Sequence, residues 1–279
     1  MKRLLITGAG GMFGCDAVEI FTQAGYSVTA AKKSDLDVSD EKSVQEFFAK
    51  NSFDFVLHAA AYTKVDDAET NEELAFSINA QGAKNLALAT KQQDIPIIYI
   101  STDYVFDGEK NSPYSPSDKT NPINVYGASK LAGENFIKEI NPKHYIARTS
   151  WLYGSHGKNF VDTMLQLAQK QKEIRVVNDQ FGCPTWTRDL AQGLKSLIEE
   201  SRGFGTYHFC NSSFTTWFGL ATKIFEIRNI TVEVIPVVTA EFPRSARRPR
   251  FSAMNNAGAL QSWQQALKQY LKNTQKCSR

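Results

Sequence analysis

The chain is poor in the residues and patterns that commit a sequence to a specialised class. Its four cysteines (Cys15, Cys183, Cys210 and Cys277) are scattered, with no C-x-x-C pair, which excludes a disulfide-stapled scaffold and a zinc ribbon. No apolar run approaches the roughly 18 residues of a membrane-spanning helix. Only Leu4-Leu5-Ile6 follow the basic pair Lys2-Arg3, short of the about 7–15 apolar residues of a secretory leader. Charge of one sign is not in excess: 32 Lys plus Arg stand against 29 Asp plus Glu, a net +3. So mild a balance predicts no nucleic-acid and no membrane partner. What is there is ordinary for a folded protein, with 279 residues, 42% hydrophobic and 22% charged, enough for one large or two medium domains. The expectation is a soluble, cytoplasmic protein.

Short apolar runs alternate with helical patterns over the first half. Strands are predicted at residues 4–7, 27–31, 53–61, 95–101 and 145–149, and helices at 12–24, from 39–40 onward, at 72–92 and at 125–140. Such alternation implies parallel βαβ units and a doubly wound α/β sheet of the Rossmann kind. After Trp151 the pattern loosens, with helices predicted at 159–172, 189–200, 217–228 and about 260–270 and short strands at 175–177, 207–209 and 232–235. This predicts a Rossmann domain over residues 1–150 and a smaller α/β lobe over 151–279, some elements of which return to the sheet.

Thr7-Gly8-Ala9-Gly10-Gly11-Met12-Phe13-Gly14 joins the first strand to the first helix. Glycines at positions 8, 11 and 14 permit the sharp bend and let backbone N–H groups approach a pyrophosphate at the helix N-terminus; a plain tight turn is the other reading. The second strand ends in Lys32-Lys33, where a cofactor without a 2′-phosphate usually finds a carboxylate. The lysines favour NADPH, with NADH still possible, unless they are only solvated surface residues. Asp37 and Val38 then fall near the adenine, and Ala59-Ala60-Ala61 form a small-residue wall.

Tyr126 and Lys130 lie four residues apart on one helix face. An ammonium beside a phenol lowers the phenol's pKa from about 10 toward neutrality, and such a tyrosine can protonate an alkoxide. Thr102 ends an apolar strand, where ligands sit in a doubly wound sheet, and its hydroxyl can share a substrate oxygen with Tyr126. Four arginines fall within residues 244–250, suited to a diphosphate or simply a solvated loop. Trp151 is a stacking surface for a sugar ring or an ordinary buried indole. His58, His144, His156 and His208 show no metal spacing, and His58 and His208 read as core residues.

Taken together, T-G-x-x-G-x-x-G, S-T-D-Y-V-F (Ser101–Phe106), Y-G-x-S-K-x-x-G-E (Tyr126–Glu134) and R-T-S-W-x-Y-G (Arg148–Gly154) resemble the extended short-chain dehydrogenase/reductases, and within them the dTDP-4-dehydrorhamnose reductase family. Asn159-Phe160-Val161, the D-Q-x-G-x-P-T run from Asp179 to Thr185, and Arg248-Pro249 extend the likeness to about residue 252. The resemblance implies NADPH-dependent reduction of the 4-keto group of dTDP-4-dehydro-β-L-rhamnose to dTDP-L-rhamnose, for rhamnose-containing polysaccharides. It implies a catalytic trio of Thr102, Tyr126 and Lys130. Gly8, Gly11, Met12, Phe13, Gly14, Lys32, Asp37, Val38, Ala59, Ala60, Ala61 and Tyr62 fall on the cofactor side, with Tyr126 and Lys130 touching it too. Tyr104, Trp151, Asn159, Gln180 and Arg248 fall on the side of the nucleotide sugar, a dTDP-4-keto-6-deoxyhexose. Met12-Phe13 replaces the family's usual Gln-Leu or Gln-Val, and residues 253–257 depart from its usual segment. Some relatives hold Mg²⁺ through carboxylates at a dimer contact; Asp16 and Asp189 lie at comparable places without a third partner, so no required metal is expected, and the chain is a monomer or homodimer. Two alternatives stay open: a nucleotide-sugar dehydratase or epimerase, although Tyr104 follows Asp103 where a dehydratase carries a second carboxylate, and a non-catalytic NADP-binding subunit like that of the eukaryotic methionine adenosyltransferase.

Overall fold

Alternating side chains decide how the first strand is buried. In β1 (Arg3–Thr7) Leu4 and Ile6 face one way and Leu5 the other, and all three are fully buried, the mark of a strand covered on both sides. β2 (Ser27–Ala31), β3 (Phe55–His58), β4 (Ile97–Thr102) and β5 (His144–Thr149) join it, and Gly205–His208 adds a sixth strand beside β5. Every pairing in this sheet is parallel, in the order Gly205–His208, β5, β4, β3, β1, β2. The chain leaves β1 toward β2 on one side and returns to β3 on the other, so the topological switch lies between β1 and β3, where α/β sheets bind ligands. The computed structural model describes residues 1–256 and 260–276; of the sequence readings, Ala257 and Cys277 lie outside them.

On one face Leu4, Ile6, Leu57 and Ile98 pack under Ile20 and Phe21 of helix α1 (Met12–Gln23) and under Leu190 and Leu194 of the helix Thr187–Glu199. On the other, Leu5, Val56, Ile97, Tyr99 and Ile146 meet Val44 and Phe48 of α2 (Glu41–Lys50) and Leu86 of Gly82–Gln92. A further core joins Val161, Ile174, Trp186, Leu220, Phe225, Trp263 and Leu267, and beside it Glu173–Val177 pairs in parallel with Glu233–Val237.

Two elements differ from the expectation. The strand predicted over 53–61 stops at His58, and Ala59–Ala61 turn out of the sheet. The single helix predicted over 72–92 is Glu72–Phe76 and Gly82–Gln92 with a π turn, Ser77–Gln81, between them. A wide turn there frees backbone groups for other partners: Tyr99 Oη donates to the Asn79 carbonyl at 2.9 Å, and a Cβ on Gly133 would stand 2.4 Å from that oxygen. The helix Val125–Ile140 thus packs closely against the π turn. No helix among the described residues is long and apolar enough to cross a membrane.

Candidate active site

A cavity of about 640 Å³ opens at the carboxyl ends of β1, β3, β4 and β5. Its floor is the glycine turn. Gly8 has φ +67°, and a Cβ there would meet Ala60 N at 2.6 Å, while one on Gly14 would meet the Gly8 carbonyl at 2.2 Å. Only glycine fits these positions, so the turn closes flat against the end of β3. Gly11 caps α1 with no side-chain hydrogen bond, leaving the positive end of that helix open to an anion. A flat glycine floor, an uncapped helix start and a long cleft fit a dinucleotide.

Gly8, Gly11, Met12, Phe13, Gly14, Asp37, Val38, Ala59, Ala60 and Ala61 all line the cavity. Lys32 does not; Lys33 does, with its ammonium 3.8 Å from Asp37. The turn after β2, where Lys32 N–H donates to Asp35, brings the second lysine to the wall instead of the first. Tyr62 is also absent from the lining: its hydroxyl donates to Asp67 and its N–H to Asn79 Oδ1. Asn79 in turn donates to Ser129 Oγ at 2.9 Å, and so ties the end of β3 to the Tyr126 helix.

Thr102, Tyr104, Tyr126, Lys130 and Trp151 meet in the same cavity. Asn124 caps their helix by accepting from Gly127 N–H at 2.7 Å, and a Cβ on Gly127 would meet the Tyr104 carbonyl at 2.1 Å. Helix and strand end can therefore approach closely, so that Thr102 and Tyr126 line one wall of the cavity, the Thr102 hydroxyl donating to Asp103 Oδ1 at 3.1 Å. The expected fall in the tyrosine's pKa does not occur. Burial pushes Tyr126 up to about 12, against the neighbouring Thr102 hydroxyl that works to lower it, and burial pushes Lys130 down to about 7 against the pull of Glu134. The Lys130 ammonium lies 3.9 Å from the centre of the Tyr99 ring. Desolvation is the largest cause of both shifts, because both groups are taken out of water. At neutral pH Tyr126 holds its proton.

The remaining substrate-side residues are spent on protein contacts. Asn159 caps Phe160–Ala168, accepting from Asp162 N–H and donating to the Gly154 carbonyl. Gln180 donates to Thr239 and accepts from Trp217 Nε1 at 3.2 Å. The Arg248 fork grips both oxygens of Asp66. None of these three lines the cavity. Trp151, at φ +46°, stacks on Trp217 with centroids 3.5 Å apart and planes 7° apart. Trp217 lines the cavity as well, and sequence reading missed it because a lone tryptophan at a helix start carries no local signal. Asp103 and Thr149, also in the lining, were given no site role although both lie within the quoted motifs. Thr149 Oγ1 is buried with no hydrogen-bond partner among the described residues.

Asp16 accepts from Thr187 Oγ1, and Asp189 accepts from Asn211 and Gln261. No group of three His, Cys, Asp or Glu among the described residues is placed to hold a metal ion.

The family model described as the RmlD substrate binding domain matches residues 1–277. The chain belongs to this family. The spore coat polysaccharide biosynthesis protein SpsK of Bacillus subtilis (strain 168) is 38% identical to it, over 97% of each chain. The crystal structure of a dTDP-4-dehydrorhamnose reductase from Clostridium acetobutylicum ATCC 824 superimposes with a TM-score of 0.95 at 41% identity, covering 98% of this chain and 99% of that one. That of dTDP-4-dehydrorhamnose reductase from Bacillus anthracis str. Ames, in complex with NADP, gives 0.94 at 42%, with the same coverage.

Proposed function

We propose that this family member is an NADPH-dependent reductase of the 4-keto group of dTDP-4-dehydro-β-L-rhamnose, forming dTDP-L-rhamnose. The observation that carries the reading is a protonated Tyr126 converging with Thr102 and Lys130 in a cleft floored by a dinucleotide-type glycine turn. Full-length similarity to reductases of that name, one of them in complex with NADP, supports the cofactor and the substrate class.

When bound, NADPH supplies the hydride. The chain's own residues do the rest. Gly8, Gly11, Met12, Phe13 and Gly14, with Ala59 to Ala61, hold the dinucleotide, Asp37 and Val38 border its adenosine end, and Lys33 takes the place expected of Lys32 near a 2′-phosphate. Tyr126 gives its proton to the sugar oxygen as charge develops there, and a pKa near 12 keeps it loaded for that step. Thr102 orients the same oxygen. Lys130 steadies the phenolate left behind, where even part of its charge is strong in a desolvated site. Tyr104 and Trp151 shape the sugar pocket together with Trp217. Asn159, Gln180 and Arg248 serve that pocket indirectly, by fixing its walls. In this reading residues 1–150 carry the cofactor and residues 151–279 mainly the substrate, and the enzyme works in the cytoplasm.

Tyr126→Phe decides the reading. Incubated with NADPH and dTDP-4-dehydrorhamnose, the variant is expected to oxidise NADPH at least about 100-fold more slowly, the scale of a lost general acid, and to bind NADPH as tightly as the wild type. Full turnover in the variant refutes the assignment of the acid, and no ketone-dependent oxidation by the wild type refutes the reaction.

A further inference from the structure

Trp151 stands in a conformation that its own side chain disfavours. Its φ is +46°, a region that bulky residues rarely enter, and of the described non-glycine residues with positive φ it alone lines the cavity. Such an outlier persists only where its surroundings over-determine it. The backbone is held on both sides: Ser150 Oγ donates to the Cys183 carbonyl at 2.7 Å, and the Trp151 carbonyl accepts from Thr185 N–H at 3.2 Å.

The indole is held as well. A Cβ on Gly182 would stand 2.3 Å from Trp151 Cε2 and 2.6 Å from both Cζ2 and Nε1. In the ring plane outside Cε2 the two flanking atoms would be the nearer; with Cε2 nearest, that carbon lies over the ring, so the glycine backbone covers one face. Trp217 covers the other. Its plane lies within 7° and its centroid 3.5 Å away, which leaves no room for the glycine on that side. Trp217 is anchored in turn: its Nε1 donates to Gln180 Oε1 at 3.2 Å, Gln180 Nε2 donates to Thr239 Oγ1 at 3.0 Å, and the Phe160 ring stands 4.7 Å from its centroid. With both faces taken, Trp151 cannot stack on a sugar ring. It offers the cavity its rim, the positive edge of the aromatic system, which suits the oxygens of a glycosyl hydroxyl or phosphate.

We propose that Trp217 is a positioning residue for the nucleotide sugar: it clamps the Trp151 indole against Gly182, so that the indole meets the substrate by its edge, as a fixed wall, and not by its face. The proposal rests on the reading of the cavity as the site of a nucleotide-sugar reductase.

The test combines steady-state kinetics of the NADPH-driven reduction of dTDP-4-dehydrorhamnose with circular dichroism, in which two stacked indoles give an exciton couplet. Wild type is expected to show the couplet, and added dTDP-L-rhamnose to leave it in place. Trp217→Ala is expected to lose it and to raise the KM for the nucleotide sugar about three- to tenfold, the scale of one aromatic pair. Its kcat and NADPH binding change little, because a wall that serves ground and transition states alike acts on KM. Trp217→Phe keeps a flat ring against Trp151 and restores most of the KM. Gly182→Ala pushes the indole from the opposite face and is expected to raise the KM with Trp217 intact. In a Trp151→Ala background, Trp217→Ala is expected to add no more than about twofold. A couplet abolished by dTDP-L-rhamnose shows that the indoles part on binding and overturns the proposal. An unchanged KM in Trp217→Ala or in Gly182→Ala overturns it, as does full additivity with Trp151→Ala. Loss of NADPH binding in both Trp217 variants makes the indole structural and overturns it too. If wild type shows no ketone-dependent oxidation of NADPH, the reductase reading falls; if wild type turns over and one of these outcomes appears, only the clamp falls.

Discussion

The buried pair Arg148–Glu134 sets a measurable cost on displacing the catalytic helix. Glu134 is 0% and Arg148 2% exposed. The guanidinium donates through Nε at 2.8 Å and Nη2 at 2.7 Å, one bond to each carboxylate oxygen. Ser101 Oγ adds a bond at 2.6 Å and Lys138 one at 3.3 Å. Because Glu134 shares a helix with Tyr126 and Lys130, while Arg148 and Ser101 stand on β5 and β4, the pair fixes that helix to the strand end that carries Thr102. Replacing Arg148 with Met strands a buried carboxylate, a loss of about 3–5 kcal/mol. Lys138 still reaches one oxygen, so about 3 kcal/mol is expected, or a fall in Tm of about 6–12 °C at 2–4 °C per kcal/mol. The double variant Arg148→Met/Glu134→Leu removes both charges and is expected to recover at least about 1 kcal/mol of the loss. Burial works to raise the Glu134 carboxyl, but the Arg148 hydrogen bonds and charge outweigh it and hold the group below its ordinary range. Its contribution is therefore present above the ordinary carboxyl pKa of about 4.3 and is lost as pH falls through the lower folded value. The gap between wild type and Arg148→Met is expected to close in that acid range. Denaturant or thermal unfolding of wild type, Arg148→Met, Glu134→Leu and the double variant at several pH values reads all of this. A single-variant loss under about 1 kcal/mol, or strict additivity in the double, refutes the reasoning.

Gly14→Ala places a Cβ 2.2 Å from the Gly8 carbonyl; the turn must open, and NADPH binding by fluorescence titration is expected to weaken at least about tenfold, with stability down by about 1–3 kcal/mol. An unchanged Kd refutes the close-packed floor. Lys33→Ala is expected to narrow the preference for NADPH over NADH, whereas Lys32→Ala leaves it as it was; the opposite result restores the first lysine. Arg248→Ala and Asp66→Asn break the same bidentate pair, so if Arg248 serves only to fix its own segment to Asp66 both raise the KM for the nucleotide sugar alike, and a much larger effect in Arg248→Ala alone assigns the guanidinium to the diphosphate.

How much of this was legible in the sequence depended on how far apart the interacting residues lie. The sheet strands and the glycine turn were readable because a short apolar run and a βα junction are written in consecutive residues. The Tyr126–Lys130 spacing is equally local, and it placed both side chains correctly in the crevice while misjudging their electrostatics. Attraction between an ammonium and a phenol is a pair property, but the burial that dominates both groups is made by residues on other elements, such as Tyr99, whose ring lies 3.9 Å from the Lys130 ammonium, and Thr102 and Thr149 at the strand ends. Motif membership is silent on such partners too. Asn159, expected on the substrate side, caps a helix, Gln180 accepts from Trp217, and Arg248, expected to meet a diphosphate or solvent, pairs with Asp66, 182 positions earlier. A side chain recurring in a family motif is needed for the site to exist, which is a weaker statement than touching the ligand. Asp103 makes the same point from the other side, because it lines the cavity while its two oxygens are held by its own neighbour Thr102 and by Ser252, 149 residues away. A contact that joins the end of β4 to the second half of the chain is written in no local pattern, since each partner lies in a segment whose own periodicity says nothing of the other.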